Sequence, residues 1–571
     1  MLKGLLGSLW RREAGNAAVR KGLAALKAGE LHLAEGEFRR ALAAGRDAAE
    51  VYSGLGRALW QQGRLDEGLE ALRLAVEREP GNPHYQLGLA TALDKVAPAE
   101  AVEHLRIAQK LLPDEPRIDA RLHKPLMEIC DWDAVEDAVR ALEAHAKSEP
   151  AERWTLRVDP FMAQVLPLEP AVIAEAVRWH SRRVSHAATP IARQGSAQPS
   201  GRLRLGYVDA EFRDHATAHL VAGLFEQHDH KRFELYAYSL RHGDGSEYER
   251  RLRGAFDRFV DLSAIADAEA AQRIAADGID ILVDLKGYTS GARPGIFARR
   301  PAPIQVNYLG YPGSMQAEFI DYIVGDATVI PQAQFQWFSE SVLWLPGSYQ
   351  PNDDKQRIEE ATPSRTSLGL PEDGAVFCCF NRSYKIEREI FAAWMRILSA
   401  VPGSVLWLLE SNAATEARLR EAASRSGVEP ARLIFAQRMP KAEHLARHRV
   451  ADLFLDTHTV NAHTTGSDAL WAGLPLLTWP GESFVARVAA SLLQAVGLPE
   501  LVAPSLLDYE RTAIALGGDR ERLRGLRNRL AANRVTSPLF RTADYARGLE
   551  QAFETMRARN LRGERPEAFA V

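Results

Sequence analysis

A repeat of about 34 residues near the amino terminus constrains this chain more than any other feature, because such a period builds a stack of helix pairs. Residues 49–82 carry Leu55-Gly56, then Gly68, Leu72 and Ala75, and close on Pro80. Upstream, residues 15–48 put Gly22, Ala34, Phe38 and Ala41 at the same offsets, with Arg46 where the proline would stand. Downstream, Ala101, Leu105, Ala108 and Pro113 continue the pattern one residue out of register. Small residues let paired helices approach and larger ones fill the gap, so each pair buries its apolar face only against a neighbour.

Helix pairs of this length and pattern are tetratricopeptide repeats. About three are expected over residues 15–117, preceded by a tail at 1–14 and capped by a helical linking region at 118–193 that contains Cys130-Asp131-Trp132. The polar segment Gln194–Gly201 then separates two textures. Beyond it, short apolar runs at Leu203–Val208, Phe233–Leu240 and Ile279–Leu285 alternate with helix-like stretches. That alternation predicts βαβ units and a Rossmann-like half over 201–350. After the polar stretch Pro351–Gly374, runs at Val376–Phe380, Val405–Leu409, Leu433–Ala436, Leu453–Asp456 and Leu476–Trp479 predict a second such half over 365–560.

Charge and cysteine content exclude several classes. The 71 Lys and Arg balance 75 Asp and Glu, a net charge of −4, which leaves no global field for nucleic acid or anionic lipid. Three cysteines, two of them adjacent (Cys130, Cys378 and Cys379), supply neither a disulfide framework nor a cysteine zinc site, and suit a reducing cytoplasm. Met1–Trp10 is apolar but short, carries Lys3 and lacks a cleavage signal, so it reads as a tail or docking helix. No run approaches the roughly 20 apolar residues of a membrane span.

Ligands of doubly wound sheets sit outside the carboxyl ends of the strands, and four clusters fall there. In Asp456-Thr-His-Thr-Val-Asn-Ala-His463-Thr464-Thr465-Gly466-Ser-Asp468 an apolar strand runs into residues that open a helix. Free backbone amides and the positive helix end make a phosphate seat there, and Asp468 suits ribose hydroxyls. A threonine that only caps the helix explains Thr464 or Thr465 alone; beside His463 and Gly466 both roles fit. Asn381-Arg382-Ser383-Tyr384-Lys385 follows another strand, where a lysine stabilises a leaving phosphate oxygen unless it is a solvated surface residue. A helix starting near Pro440 would set Lys441, His444 and Arg447 at i, i+3 and i+6, either a basic, aromatic edge for a base and its phosphates or simply the wet face of an amphipathic helix. Phe212-Arg-Asp-His215-Ala-Thr-Ala-His219 spaces two histidines at i and i+4. Without a third ligand or an H-E-x-x-H frame, zinc does not fit, and proton transfer or a sugar hydrogen bond suits His215 better, unless it is a helix-start histidine satisfied by backbone. Leu309-Gly310-Tyr311-Pro312-Gly313 is a turn whose glycines permit close backbone approach. No P-loop, G-x-S-x-G or G-x-G-x-x-G stands in the right context, and the one D-x-D, Asp131-Trp-Asp133, precedes both sheets.

The order of repeats, His463-Thr-Thr-Gly-x-Asp468, Phe380-Asn-x-x-Tyr-Lys385-Ile386, Arg300-Pro-Ala-Pro-Ile-Gln305 and Pro480-Gly-Glu-x-x-x-x-Arg487 resembles the O-linked N-acetylglucosamine transferase family over residues 15–560. The resemblance implies a tetratricopeptide α-solenoid followed by a GT-B glycosyltransferase of two Rossmann-like domains. It implies an inverting, metal-independent enzyme without cofactor that moves N-acetylglucosamine from UDP-GlcNAc to Ser or Thr of acceptor proteins, held by the repeats and the cleft. Lys385 would then meet the diphosphate with Arg382 nearby, and Thr464 and Thr465 would hold phosphate oxygens. Lys441, His444 and Arg447 would contact the uridine, Asp468 its ribose, with His463 beside the nucleotide; His215 would be the active-site histidine and Gly310 would line the sugar. Ala216 departs from the family's proline after His215, and Arg382 from the glutamine of animal members. A related transferase using GDP-fucose or UDP-glucose, or an inactive scaffold, are the alternatives.

Overall fold

A computed structural model describes residues 2–191 and 201–571, with side chains from residue 13 onward. Most of the polar segment Gln194–Gly201 lies outside these residues, as do the side chains of the amino-terminal tail. The chain divides into two compact units, the first comprising residues 1–138, 156–158 and 412–418 and the second the remainder.

The first unit is built from helices in antiparallel pairs: α1 (Leu2–Ala28) with α2 (Leu31–Ala43), α3 (Ala49–Gln61) with α4 (Leu65–Arg78), and α5 (Pro83–Leu93) with α6 (Pro98–Leu111), followed by α7 (Pro116–Glu128) and the first residues of α8 (Trp132–Ser148), whose remainder counts with the second unit. The repeat glycines have a steric reason. Phe38 is fully buried, and a Cβ on Gly22 or Gly54 would overlap its ring. A Cβ on Gly56 would meet the backbone of Gly68, so α3 and α4 approach through a glycine on each helix. The helix α1 runs from Leu2 with no break at residue 15, so the expected tail is part of the first helix. The 118–193 region is not one cap either. The helix α7 belongs to the first unit, whereas Val177 and Ile173 of the helix Pro170–His186 join a core of the second unit with Tyr288 and Phe297.

The second unit holds two parallel sheets. The strands are β1 (Leu203–Asp209), β2 (Phe233–Ser239), β3 (Arg258–Asp261), β4 (Ile281–Asp284), β5 (Ile304–Asn307), β6 (Tyr322–Gly325), β7 (Ser341–Trp344), β8 (Val376–Cys379), β9 (Val405–Leu409), β10 (Leu433–Ala436), β11 (Leu453–Leu455), β12 (Leu476–Leu477) and β13 (Phe569–Ala570). Their orders are β13-β7-β6-β5-β4-β1-β2-β3 and β10-β9-β8-β11-β12. Each order reverses once near its centre, between β1 and β4 and between β8 and β11, and such reversals open a crevice at the strand ends. The expected architecture, a repeat solenoid followed by two Rossmann-like halves, is the one this chain adopts. One boundary differs. The helix Thr542–Leu561 lies on the first sheet, where Leu549, Phe553 and Met556 join the core of β1, β2 and β4, so the second half ends before residue 560. An apolar helix face does not state in sequence which sheet it will cover.

Candidate active site

Asp456, at the carboxyl end of β11, organises the loop that carries the phosphate motif. Its Oδ1 accepts from the amides of Thr457 at 2.8 Å and Ala462 at 2.7 Å and from Asn381 Nδ2 at 3.2 Å, while Oδ2 accepts from Thr478 Oγ1 at 2.8 Å. Asn381 also donates to Thr457 Oγ1 at 2.8 Å and accepts from Thr465 Oγ1 at 2.5 Å. The end of β8 and the start of the helix Thr464–Trp471 are thereby locked together across the switch point. Within that helix the first bonds run from Gly466 and Ser467 to the His463 carbonyl, at 3.0 and 3.1 Å. The amides of Thr464 and Thr465 precede them, so they are the ones left for an anion.

Lys385 reaches the same place from the other strand end. Its Nζ donates to the Asn461 carbonyl at 2.7 Å. Burial lowers its pKa to about 8, against the pull of Asp456 and Cys379 and with a further push from Arg382. Lys385, His463 and Thr464 share the lining of a cavity of about 140 Å3 with Gly310, Tyr349 and Gln350. Gly310 has to be glycine: a Cβ there would run into the Leu285 carbonyl, and the preceding Leu309 sits at φ 70°. His463 donates through Nε2 to the Val485 carbonyl at 3.0 Å, and burial pushes its pKa down to about 3, so it is neutral.

The expected nucleotide edge is partly rearranged. The helix is Lys441–Arg447, with Pro440 before it. Lys441 Nζ pairs with Asp468 Oδ1 at 2.5 Å, bringing together two residues expected on the base and ribose. His444 lies edge-on to Phe380 at 5.4 Å, and burial holds its pKa well below the usual value. Arg447 does not line an edge. It is only 1% exposed, stacks over Phe380 at 4.5 Å and donates to the Gln437 carbonyl at 2.6 Å, so it supports the site from beneath. The reason is helical phase: six residues from Lys441 is two-thirds of a turn off its face. Arg382 is exposed, with its guanidinium 5.9 Å from the Tyr384 ring.

In the first half, His215 is the cap of the helix Ala216–Glu226 and accepts the Thr217 amide on Nδ1 at 3.2 Å. It therefore precedes the helix and does not share a face with His219, which pairs with Asp214 at 2.6 Å. Burial lowers the His215 pKa, opposed by Glu211 and assisted by Lys286, Arg213 and His219. With Nδ1 accepting, the neutral ring carries its proton on Nε2 and presents a donor. Ala216 and Thr217, next to it, line the Lys385 cavity.

Sequence reasoning named none of Gln350, Glu211, Lys286 or Asp456 as site residues. Gln350 is 1% exposed with an unpartnered Nε2. It follows β7, a strand the apolar pattern does not reveal. Glu211 is held by Arg213 at 2.8 Å and Lys286 at 3.3 Å. Its signal was position, just beyond β1.

Comparison with known proteins decides the family. A profile described as glycosyl transferase family 41 matches residues 129–362 and 354–549, and a tetratricopeptide repeat profile matches 19–83. The chain belongs to glycosyl transferase family 41. Among proteins to which this family 41 chain is similar is the Arabidopsis thaliana probable UDP-N-acetylglucosamine–peptide N-acetylglucosaminyltransferase SEC, 37% identical over 78% of this chain and 47% of that protein. The Caenorhabditis elegans UDP-N-acetylglucosamine–peptide N-acetylglucosaminyltransferase is 31% identical over 75% of this chain and 48% of its own length. The family 41 chain thus spans about half the length of these curated relatives. A solved mutant of Thermobaculum terrenum O-GlcNAc transferase matches 96% of this chain and 98% of its own, at TM-score 0.73 and 28% identity.

Proposed function

We propose that this chain transfers N-acetylglucosamine from UDP-GlcNAc to Ser or Thr hydroxyls of polypeptides, with inversion and without a metal. The observation that carries the reading is that Lys385, Thr464 and Gly310 line one cavity, at the start of a helix whose first backbone bonds begin only at Gly466. In this reading the acceptor oxygen attacks the anomeric carbon, the bond to UDP breaks with its electron pair going to a phosphate oxygen, and the hydroxyl proton passes to an oxygen of the departing diphosphate. Lys385 and the helix amides meet that developing charge, the task a cation performs elsewhere. Among the described residues no group of three or more His, Cys, Asp or Glu stands ready to hold a metal ion. His215 donates through Nε2 to the sugar or the acceptor and, in this tautomer, does not take the hydroxyl proton. Lys441 and Asp468 exchange their mutual pair for contacts with the uridine and ribose, and His444 packs the base.

The names of the SEC and Caenorhabditis relatives speak for the UDP-GlcNAc donor, and no observation favours GDP-fucose, UDP-glucose or an inactive scaffold. Acceptor polypeptides reach the cleft with help from the repeats. Among the described residues no helix is long and apolar enough to cross a membrane. The three cysteines are free and buried, which supports a cytoplasmic setting. The test is calorimetric titration with UDP-GlcNAc and GDP-fucose in chelator, followed by transfer to a peptide library. UDP-GlcNAc binding and turnover that persist in chelator are expected; binding of GDP-fucose alone, or turnover that needs an added divalent ion, overturns the proposal.

A further inference from the structure

A second cavity of the second unit is larger than the one that holds Lys385. It encloses about 590 Å3, within the size range of small-molecule sites. One wall is the helix Pro170–His186, whose Ile173, Ala174 and Val177 fall on one face at helical spacing. Trp337, Phe338 and Arg487 also line it. Neighbouring residues at 164–165, 312–313, 459–460 and 484–485 line this cavity on one side and the Lys385 cavity on the other, so a single thickness of backbone separates the two.

The polar groups are few and one is unmet. Arg487 Nε is buried without a hydrogen-bond partner. The carboxylate that acts on this guanidinium belongs to Glu482, which is exposed at the rim. Across the mouth, Gln334 Nε2 donates to the Glu482 carbonyl, tying one half of the unit to the other. His458, also in the lining, has Nδ1 engaged by the Trp479 carbonyl at 2.9 Å and its ring stacked on Trp479 at 3.6 Å. An occupant thus meets apolar carbon from the helix, Trp337 and Phe338, and one under-used cation, Arg487. A wholly apolar molecule would leave Arg487 Nε without a partner, whereas a carboxylate would supply one.

We infer that this cavity binds a small amphipathic acid, its apolar body against Ile173, Val177, Trp337 and Phe338 and its carboxylate on the Arg487 guanidinium. The site is separate from the donor site and does not depend on the proposed transferase activity. A charge-assisted hydrogen bond from arginine to carboxylate is roughly twice as strong as a neutral one, so the acid should bind well ahead of its amide.

The experiment titrates the full chain with 4-phenylbutyrate and with 4-phenylbutyramide by calorimetry. Saturable one-site binding of the carboxylate is expected, with a Kd below about 1 mM and the amide about tenfold weaker. Arg487→Gln should bring the two probes to equal affinity. Ala333→Trp, at an exposed rim position where a larger side chain does not disturb the core, should abolish binding of both while the melting transition stays in place. No saturable binding by the native chain, carboxylate binding that survives Ala333→Trp, or an acid preference that survives Arg487→Gln each overturns the inference.

Discussion

Replacing Lys385 by alanine separates leaving-group stabilisation from nucleotide binding. The ammonium sits half-buried, with the Asn461 carbonyl as its hydrogen-bond partner at 2.7 Å, and burial brings its pKa from the usual 10.5 to about 8. At roughly 1.4 kcal/mol per tenfold change, that drop represents on the order of 3 kcal/mol by which the empty site disfavours the charged form. An arriving diphosphate supplies the missing counter-charge, and its departure oxygen gains most as the bond breaks. Removing one preorganised donor of this kind costs about a hundred- to a thousandfold in kcat. Lys385→Ala should therefore lose that much turnover, while UDP affinity, shared with the Thr464 and Thr465 amides, falls less than about tenfold. The pH profile gives an independent check. Because the lysine is active when protonated, wild-type kcat/KM should decline as pH rises through about 8, the value for the free enzyme. In Lys385→Arg, whose guanidinium stays charged, the residual activity should lose that limb. Turnover of the alanine variant within tenfold of wild type, or an alkaline limb that persists in the arginine variant, would refute the leaving-group role.

Three further outcomes follow from the same geometry. Gly310→Ala drives a methyl into the Leu285 carbonyl, so a lower melting temperature and a loss of transfer exceeding the loss of UDP affinity are expected by thermal melting and steady-state kinetics. Gln350→Leu removes an unpartnered side-chain amide from the Lys385 cavity; we expect a weaker Kd for UDP-GlcNAc by about tenfold with UDP unchanged, and equal losses for both ligands would exclude a sugar contact. Lys286→Met withdraws a positive charge that helps depress His215 and leaves Glu211 to raise it, so the acid limb of kcat/KM should move to higher pH; an unmoved limb would show that His215 does not govern it.

Much of the fold was legible because its signals are local. The repeat glycines announce where helices must touch, and Phe38 between Gly22 and Gly54 shows why the period carries them. All five strands of the second sheet stand as apolar runs, since a parallel sheet covered on both faces has no alternation to disguise it. In the first sheet β3, β5, β6 and β7 escape notice: β3 has charged ends, β5 alternates apolar with Gln305 and Asn307, and β6 and β7 each pair three apolar residues with a Gly or Ser. The motif residues Lys385, His463 and Thr464 were visible in sequence as strand-end positions and Gly310 as part of a turn, and the chain does gather them around one cavity.

The sequence by itself determined the helical repeats, the two α/β halves and the chemical types of the strand-end residues, because period, apolar run and glycine placement act over a few residues. Tertiary structure alone decided which groups meet. It turned Arg447 into a buried support under Phe380, made His215 a helix cap, paired Lys441 with Asp468, and returned the helix Thr542–Leu561 to the first sheet. It also left Gln350 and Arg487 with buried nitrogens lacking partners. Those outcomes depend on which distant surfaces exclude water from a given side chain, and burial set by long-range packing is not encoded in any window of neighbouring residues.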